Sequence, residues 1–146
     1  GIIFFDKKND IKSKLQSVSK TGLNYMSLGQ PLSTLSGGEI QRVKLAQHLD
    51  EEIKNSIFIF DEPTTGLHES DIPILMECFD DLIDQNNTVI LIEHNLSIMC
   101  EADWIIDVGP GPGLDGGKVQ FSGTPKNFID SSETLTSKHL KRYINQ

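Results

Sequence analysis

Residues 57 to 63 read Ile-Phe-Ile-Phe-Asp-Glu-Pro, four apolar residues of high strand preference running into two adjacent carboxylates. An apolar run this short, without alternation, fits a strand buried on both faces. Pro63 has no N–H to give a ladder, so the strand ends near it. Asp61 and Glu62 then stand at the carboxyl end of a buried strand, where open α/β sheets bind ligands. Successive side chains of a strand point to opposite sides, so neighbouring carboxylates can take different jobs. One can hold a hydrated metal ion on a nucleotide while the other poises a water for attack. The plainer reading is a strand that ends in an acidic turn, and the stretch by itself does not choose.

The chain has 146 residues, one domain by length, with 37% hydrophobic and 23% charged residues, an ordinary globular composition. No apolar run approaches the length of a membrane span and no signal peptide opens the sequence, so a cytoplasmic protein without a membrane partner is expected. Cys78 and Cys100 lie far apart in helix-like patterns, outside any C-x-x-C pair. They read as free thiols, with neither a zinc site nor a disulfide framework. The formal net charge of -8 is the wrong sign for gripping a nucleic acid backbone, which wants clustered Lys and Arg. Contact with DNA would need a local patch or another part of the protein.

Ile11, Leu15 and Val18 recur at helical spacing, which predicts an amphipathic helix over about 6 to 20, ended by Gly22 and Asn24. Residues 24 to 34 read as a turn-rich loop. A second helix is predicted from about 37 to 50 with Ile40, Val43, Leu45, Ala46 and Leu49 on its apolar side. After the strand at 57 to 60 and a loop at 64 to 69, a helix at 71 to 85 would bury Ile72, Leu75, Phe79, Leu82 and Ile83, with Ser70 as its N-cap. Asn86-Asn87 makes a turn into a buried-strand pattern at 88 to 92. A short helix at 96 to 101 and a strand at 104 to 108 follow. Residues 109 to 117 form a Gly- and Pro-rich loop. A strand at 119 to 122, a turn at 123 to 125 and a helical tail from 126 to 144 complete the chain. Strands alternating with helices predict an α/β fold with a mainly parallel sheet.

Leu35-Ser36-Gly37-Gly38-Glu39 opens the second helix, and Ser36 with Glu39 fits the S-x-x-E capping box. Capping does not explain two glycines in the first turn, each costing about 1 kcal/mol of helix propensity relative to Ala. Glycines there let a ligand approach bare backbone N–H groups, and such a helix terminus seats anions. Ser36, Gly37 and Gly38 therefore suit a terminal phosphate. His94 follows the strand at 88 to 92. If that strand runs alongside 57 to 60, His94 reaches the crevice of Asp61 and Glu62, where it could hydrogen-bond a phosphate or the attacking water. A lone histidine is more often structural. His48 on the second helix and His139 in the tail carry less, and His68 beside the acidic motif suits an interface role.

The order Ser36-Gly37-Gly38, Asp61-Glu62-Pro63 (the Walker B pattern of nucleotide hydrolases), then His94 resembles the second half of an ABC-type ATPase domain. Finer wording resembles the UvrA family of excinuclease proteins, which serves nucleotide excision repair. The carriers are Leu28-Gly29-Gln30-Pro31, Thr34-Leu35-Ser36-Gly37-Gly38-Glu39 and Gln41-Arg42-Val43-Lys44-Leu45-Ala46, with Asp61-Glu62-Pro63-Thr64-Thr65-Gly66-Leu67-His68. Ile92-Glu93-His94-Asn95-Leu96, Ala102-Asp103-Trp104-Ile105-Ile106-Asp107, Gly109-Pro110 and Ser122-Gly123-Thr124-Pro125 also fit. Transporter ATPases usually carry a different loop after the acidic motif, so Thr65-Gly66-Leu67-His68 discriminates. The likeness spans roughly 22 to 125, and the loop at 110 to 117 departs from it.

The resemblance implies roles. Asp61 holds magnesium through water, Glu62 is the general base or polarises the water, and His94 is the switch histidine at the γ-phosphate of ATP. Leu35, Ser36, Gly37, Gly38 and Glu39 form the signature, which contacts nucleotide held by an opposing ATPase module. Thr65, Gly66, Leu67 and His68 form the D-loop that couples the two sites. The implied partners are damaged DNA, a UvrB-type protein, and a second ATPase module in the same or another chain. By this division, 1-34 is a pre-signature helix and loop, 35-125 the core from signature to beyond the switch histidine, and 126-146 a helical tail. The phosphate cradle G-x-x-x-x-G-K-[ST] is absent from the sequence, as are the family's zinc cysteines. The expectation is a C-terminal portion of a longer protein, inactive alone. Its sheet would lack the strand between 88 to 92 and 104 to 108, a slot to be closed by strand shift, by borrowing, or left at a cost in stability. Alternatives are a module of a UvrA-like paralogue or other ABC ATPase outside repair, and a non-catalytic fragment that docks on a partner ATPase.

Overall fold

A computed structural model describes residues 2, 4–51, 53–109 and 116–145. The chain divides into two compact units, Gly1–Glu93 and His94–Gln146.

The first unit starts with helix α1, Asn9–Lys20. Gly22 takes the left-handed conformation, φ +74°, that ends the turn after it. A 3-10 turn at Leu32–Thr34 leads into α2, Gly37–Leu49. Strand β1, Ile57–Asp61, follows. A second 3-10 turn at Glu69–Asp71 precedes α3, Ile72–Asp84, and β2, Thr88–Ile92. Strands β1 and β2 pair in parallel, from Ile57 opposite Thr88 to Asp61 opposite Ile92. The expectation that they point the same way holds.

The core of this unit is Leu45, Phe60, Leu75, Cys78, Phe79 and Leu82, with Phe58, Val89 and Leu91 packed against it. The Phe60 and Phe79 rings lie 5.1 Å apart. Asn87 is buried and fastens three segments. Its Nδ2 donates to the carbonyls of Ile53 (2.8 Å) and Leu82 (2.9 Å), and its Oδ1 accepts from Ser56 N (3.1 Å).

Three sequence expectations need correction here. Strand β1 is not buried on both faces: Ile57 and Ile59 are 67% and 64% exposed, and Ile90 and Ile92 of β2 are 44% and 51% exposed. Helix α3 covers the Phe58, Phe60, Val89 and Leu91 side only, so the apolar run presents its other face uncovered. The N-cap of α3 is Asp71, without a side-chain bond, rather than Ser70. The intervening 3-10 turn is capped instead by His68, whose Nδ1 accepts from Ser70 N. On the apolar sides of the helices, Ile83 is exposed while Cys78 is buried, and in α2 the buried set is Gly38, Arg42, Leu45 and Ala46.

The second unit contains α4, Leu96–Glu101, and strands β3, Ile105–Gly109, and β4, Lys118–Gly123. Helices α5, Pro125–Ser131, and α6, Leu135–Ile144, complete it. Its core is Ile105, Phe128 and Leu140. Thr124 and Thr134 cap α5 and α6, which divides the predicted helical tail in two. Strands β3 and β4 are antiparallel. The α/β class therefore holds, but as two small two-stranded sheets, one parallel and one antiparallel. Among the described residues β1 pairs with β2 and β3 with β4. Most of the predicted 109 to 117 loop lies outside the described residues.

Candidate functional site

Helix α2 begins with a closed capping box. Ser36 Oγ accepts from Glu39 N (3.3 Å), and Glu39 Oε2 accepts from Ser36 N (2.7 Å) and Ser36 Oγ (2.8 Å). Tyr25 donates its hydroxyl to Glu39 Oε1. These bonds, that of Tyr25 first and those of Ser36 next, hold the Glu39 carboxyl down to about 2. Glu39 is therefore a fixed negative charge at the helix N-terminus, where the dipole favours one.

The two glycines behave differently. A Cβ on Gly37 would meet nothing within 4 Å, which leaves the approach to its backbone open. A Cβ on Gly38 would lie 3.3 Å from the Glu62 carbonyl oxygen, 3.4 Å from Arg42 Nη1 and 3.5 Å from the Thr65 carbonyl oxygen. The need for glycine at Gly38 is thus packing against the acidic loop of the same unit. Only Gly37 fits the open-backbone argument made for both.

Asp61 and Glu62 are exposed at the carboxyl end of β1. Glu62 sits at φ +48°, a conformation that side-chain-bearing residues adopt rarely. The loop around it is tied down. Glu62 N donates to Ile92 O (2.8 Å), Thr65 N to Glu62 O (3.0 Å) and Leu67 N to Thr64 O (2.9 Å). Thr65 Oγ1 donates to Glu62 Oε2 at 3.3 Å. Gly66 turns at φ +79°, and Leu67 packs on the core. His68 takes the capping role described above. From the end of β2, Glu93 Oε1 accepts from Thr64 N (2.9 Å) and Thr64 Oγ1 (2.7 Å).

Helix α2 holds this loop from its other side. Gln41 Oε1 accepts from Asp61 N and Gln41 Nε2 donates to Asp61 O, both at 2.9 Å. Arg42, 1% exposed, donates from Nη1 to Pro63 O (2.5 Å) and Thr65 O (3.1 Å). Its Nε and Nη2 are buried without a hydrogen-bond partner among the described residues. Burying donors unmet costs about 1–3 kcal/mol per group.

The structure thus joins Ser36, Gly37, Gly38 and Glu39 with Asp61, Glu62 and Thr65 in one unit. His94 is exposed and opens the other unit, where Asn95 next to it caps α4. Gln41, Arg42 and Glu93 stand in the sequence reading only as carriers of the resemblance, with no role of their own, and Tyr25 does not appear in it. A signal existed for Arg42, a charged residue inside the apolar stripe of α2, and for Glu93, an acid at the end of a strand. Asp61, an exposed carboxylate, is a hard oxygen donor of the kind Mg2+ takes. No group of three or more His, Cys, Asp or Glu that could hold a metal ion occurs among the described residues. Burial pushes the Cys78 thiol up to about 11, and that of Cys100 upward as well.

Scanned against models of protein families, the chain matches none. It is 46% identical over 145 residues to the UvrABC system protein A of Bacillus subtilis (strain 168), covering 99% of this chain and 15% of that protein. The protein of the same name from Mycoplasmopsis pulmonis is 44% identical over 145 residues, again 99% of this chain and 15% of the relative. The crystal structure of UvrA2 from Deinococcus radiodurans superposes with a TM-score of 0.87 at 39% identity, covering 97% of this chain and 18% of that one.

This chain is a UvrA-family segment. The likeness to the UvrA family extends over nearly the whole length of the sequence. The chain spans about 15% of the length of these UvrA relatives. No helix among the described residues is long and apolar enough to cross a membrane.

Proposed function

We propose that this segment supplies the signature, Walker B, D-loop and H-loop of an ABC-type ATPase module in a UvrA-type DNA damage recognition protein of nucleotide excision repair. The observation that carries the reading is the single body made by the signature and the acidic loop, with Gly38 seated against the Glu62 and Thr65 carbonyls. Identity of 44–46% to UvrABC system proteins over 99% of the chain supports the repair setting.

In this reading Asp61 would hold Mg2+, which would supply charge neutralisation for phosphoryl transfer. Glu62 orients the attacking water and takes its proton. The backbone at Ser36 and Gly37, the open side of the helix terminus, faces the phosphates of a nucleotide carried by an opposing module, with Gly38 packed beneath it on the acidic loop. His94 hydrogen-bonds the γ-phosphate. Thr65, Gly66, Leu67 and His68 form the D-loop joining the two sites. The strand and phosphate cradle that complete a P-loop sheet would come from another part of the protein and add at a strand edge, whereas the uncovered face of β1 and β2, with Ile57, Ile59, Ile90 and Ile92, is the kind of face that packed helices cover in a parallel sheet. The partners are a second ATPase module, damaged DNA and a UvrB-type protein, in the cytoplasm.

The test is ATP turnover by the full-length protein with and without ultraviolet-damaged duplex. Turnover that damaged DNA modulates and that Glu62→Gln lowers by about 100-fold or more is expected, the size of losing a general base. Turnover indifferent to DNA would move the protein to an ABC ATPase outside repair. Absence of turnover in the full-length protein would favour a non-catalytic docking role.

A further inference from the structure

Glu62 holds a left-handed backbone conformation without being glycine, and Pro63 follows it. Such a conformation persists only where the surroundings over-determine it. Two consecutive residues of α2 grip both ends of that strained turn. The Gln41 carboxamide gives one hydrogen bond and takes one across Asp61, both at 2.9 Å, doing for that edge of β1 what a neighbouring strand would do. One guanidinium nitrogen of Arg42 bridges the carbonyls of Pro63 and Thr65, which lie two residues apart, and so sets the spacing between them. Gly38, one turn earlier, leaves the gap into which the Glu62 carbonyl fits. Every one of these contacts is to backbone, so their effect is on where Glu62 and Thr65 stand, and none depends on the chemistry of the side chains held.

We propose that Gln41 and Arg42 are positioning residues for hydrolysis. They splint the 61 to 65 turn to α2, so that the signature, Glu62 and Thr65 move as one body. This rests on the ATPase reading above. Without the splint, Glu62 relaxes toward negative φ and its carboxylate leaves the place where the water must be met. Nucleotide binding does not require that place, so the loss falls on kcat.

The experiment is steady-state ATP turnover by the full-length protein carrying Gln41→Met, Arg42→Lys, and Gln41→Met combined with Glu62→Gln. Gln41→Met keeps length and loses both bonds, at a position that is not deeply buried. It is expected to lower kcat by about tenfold to 100-fold, the effect of misplacing a reacting group by about 1 Å, with KM for ATP within about twofold of the parent. Arg42→Lys keeps the charge and lowers kcat less. In the Glu62→Gln background, Gln41→Met is expected to change residual turnover by less than about twofold, because a residue acting through Glu62 has nothing left to act on. A residue that merely supported the fold would lower turnover by the same factor in both backgrounds. That result overturns the proposal, as does kcat within about twofold of the parent in both Gln41→Met and Arg42→Lys. A parent whose turnover survives Glu62→Gln would instead overturn the role of Glu62, and this inference with it.

Discussion

At the scale of single residues, Glu39 is the group whose environment most alters its chemistry. Tyr25 and Ser36 satisfy both of its oxygens, and its carboxyl is held down to about 2 from an ordinary 4.5. The folded value lies below the unfolded one, so its stabilising contribution is complete above pH ~4.5. It is lost as pH falls toward 2. A phosphate meeting the N-terminus of α2 also meets this charge, which opposes it and leaves the open side at Gly37 as the approach. Removing the hydroxyl with Tyr25→Phe takes away the largest cause of the depression. The expected outcome is an upward shift of the Glu39 carboxyl titration followed by NMR, with the stability lost to acid moving to higher pH. An unchanged titration would mean that Ser36 alone sets the charge.

At the scale of elements, α2 and the acidic loop make the organising contact of the first unit, and the paired glycines test it. Gly38→Ala puts a Cβ 3.3 Å from a carbonyl oxygen of strained backbone, which cannot move aside as a side chain could. Overpacking of this kind costs about 1–3 kcal/mol. Gly37→Ala meets nothing and improves helix propensity, so it is expected to be neutral or stabilising by up to about 1 kcal/mol. Urea unfolding of the two variants measures the difference, and equal midpoints would contradict the packing argument.

The elements themselves were largely legible in the sequence. Helical spacing located α1 and α3, and the box Ser36-x-x-Glu39 located the start of α2. The five residues of β2 were read at their observed bounds. What was not legible has particular causes. The run Ile57 to Phe60 carries no polar residue to mark an exposed face, so two-sided burial was the natural reading, and the face stays uncovered because no described element packs there. Arg42 was hidden because a charged residue on a helix reads as solvated, whereas here two backbone carbonyls draw it inside. The direction of β4 could not be read because the strand pattern at 119 to 122 is the same whether the pairing is parallel or antiparallel.

At the scale of the whole molecule, the two units carry different shares of the ATPase reading. Signature, Asp61, Glu62 and D-loop lie in Gly1–Glu93, and His94 opens His94–Gln146. The outer face of the parallel pair exposes Ile57, Ile59, Ile90 and Ile92, whereas parallel sheets are almost always covered on both faces. An uncovered parallel pair, and a sequence without the phosphate cradle, bear on one claim of the proposed function: that this segment is half of a composite ATPase site. The most direct measurement is ATP turnover by this chain alone, then with the phosphate-loop half of its module added in trans. The account predicts no turnover by the chain alone, and turnover on mixing that Glu62→Gln removes. Turnover by the chain alone, also removed by Glu62→Gln, would contradict it, because another element would then be doing the work of the phosphate loop.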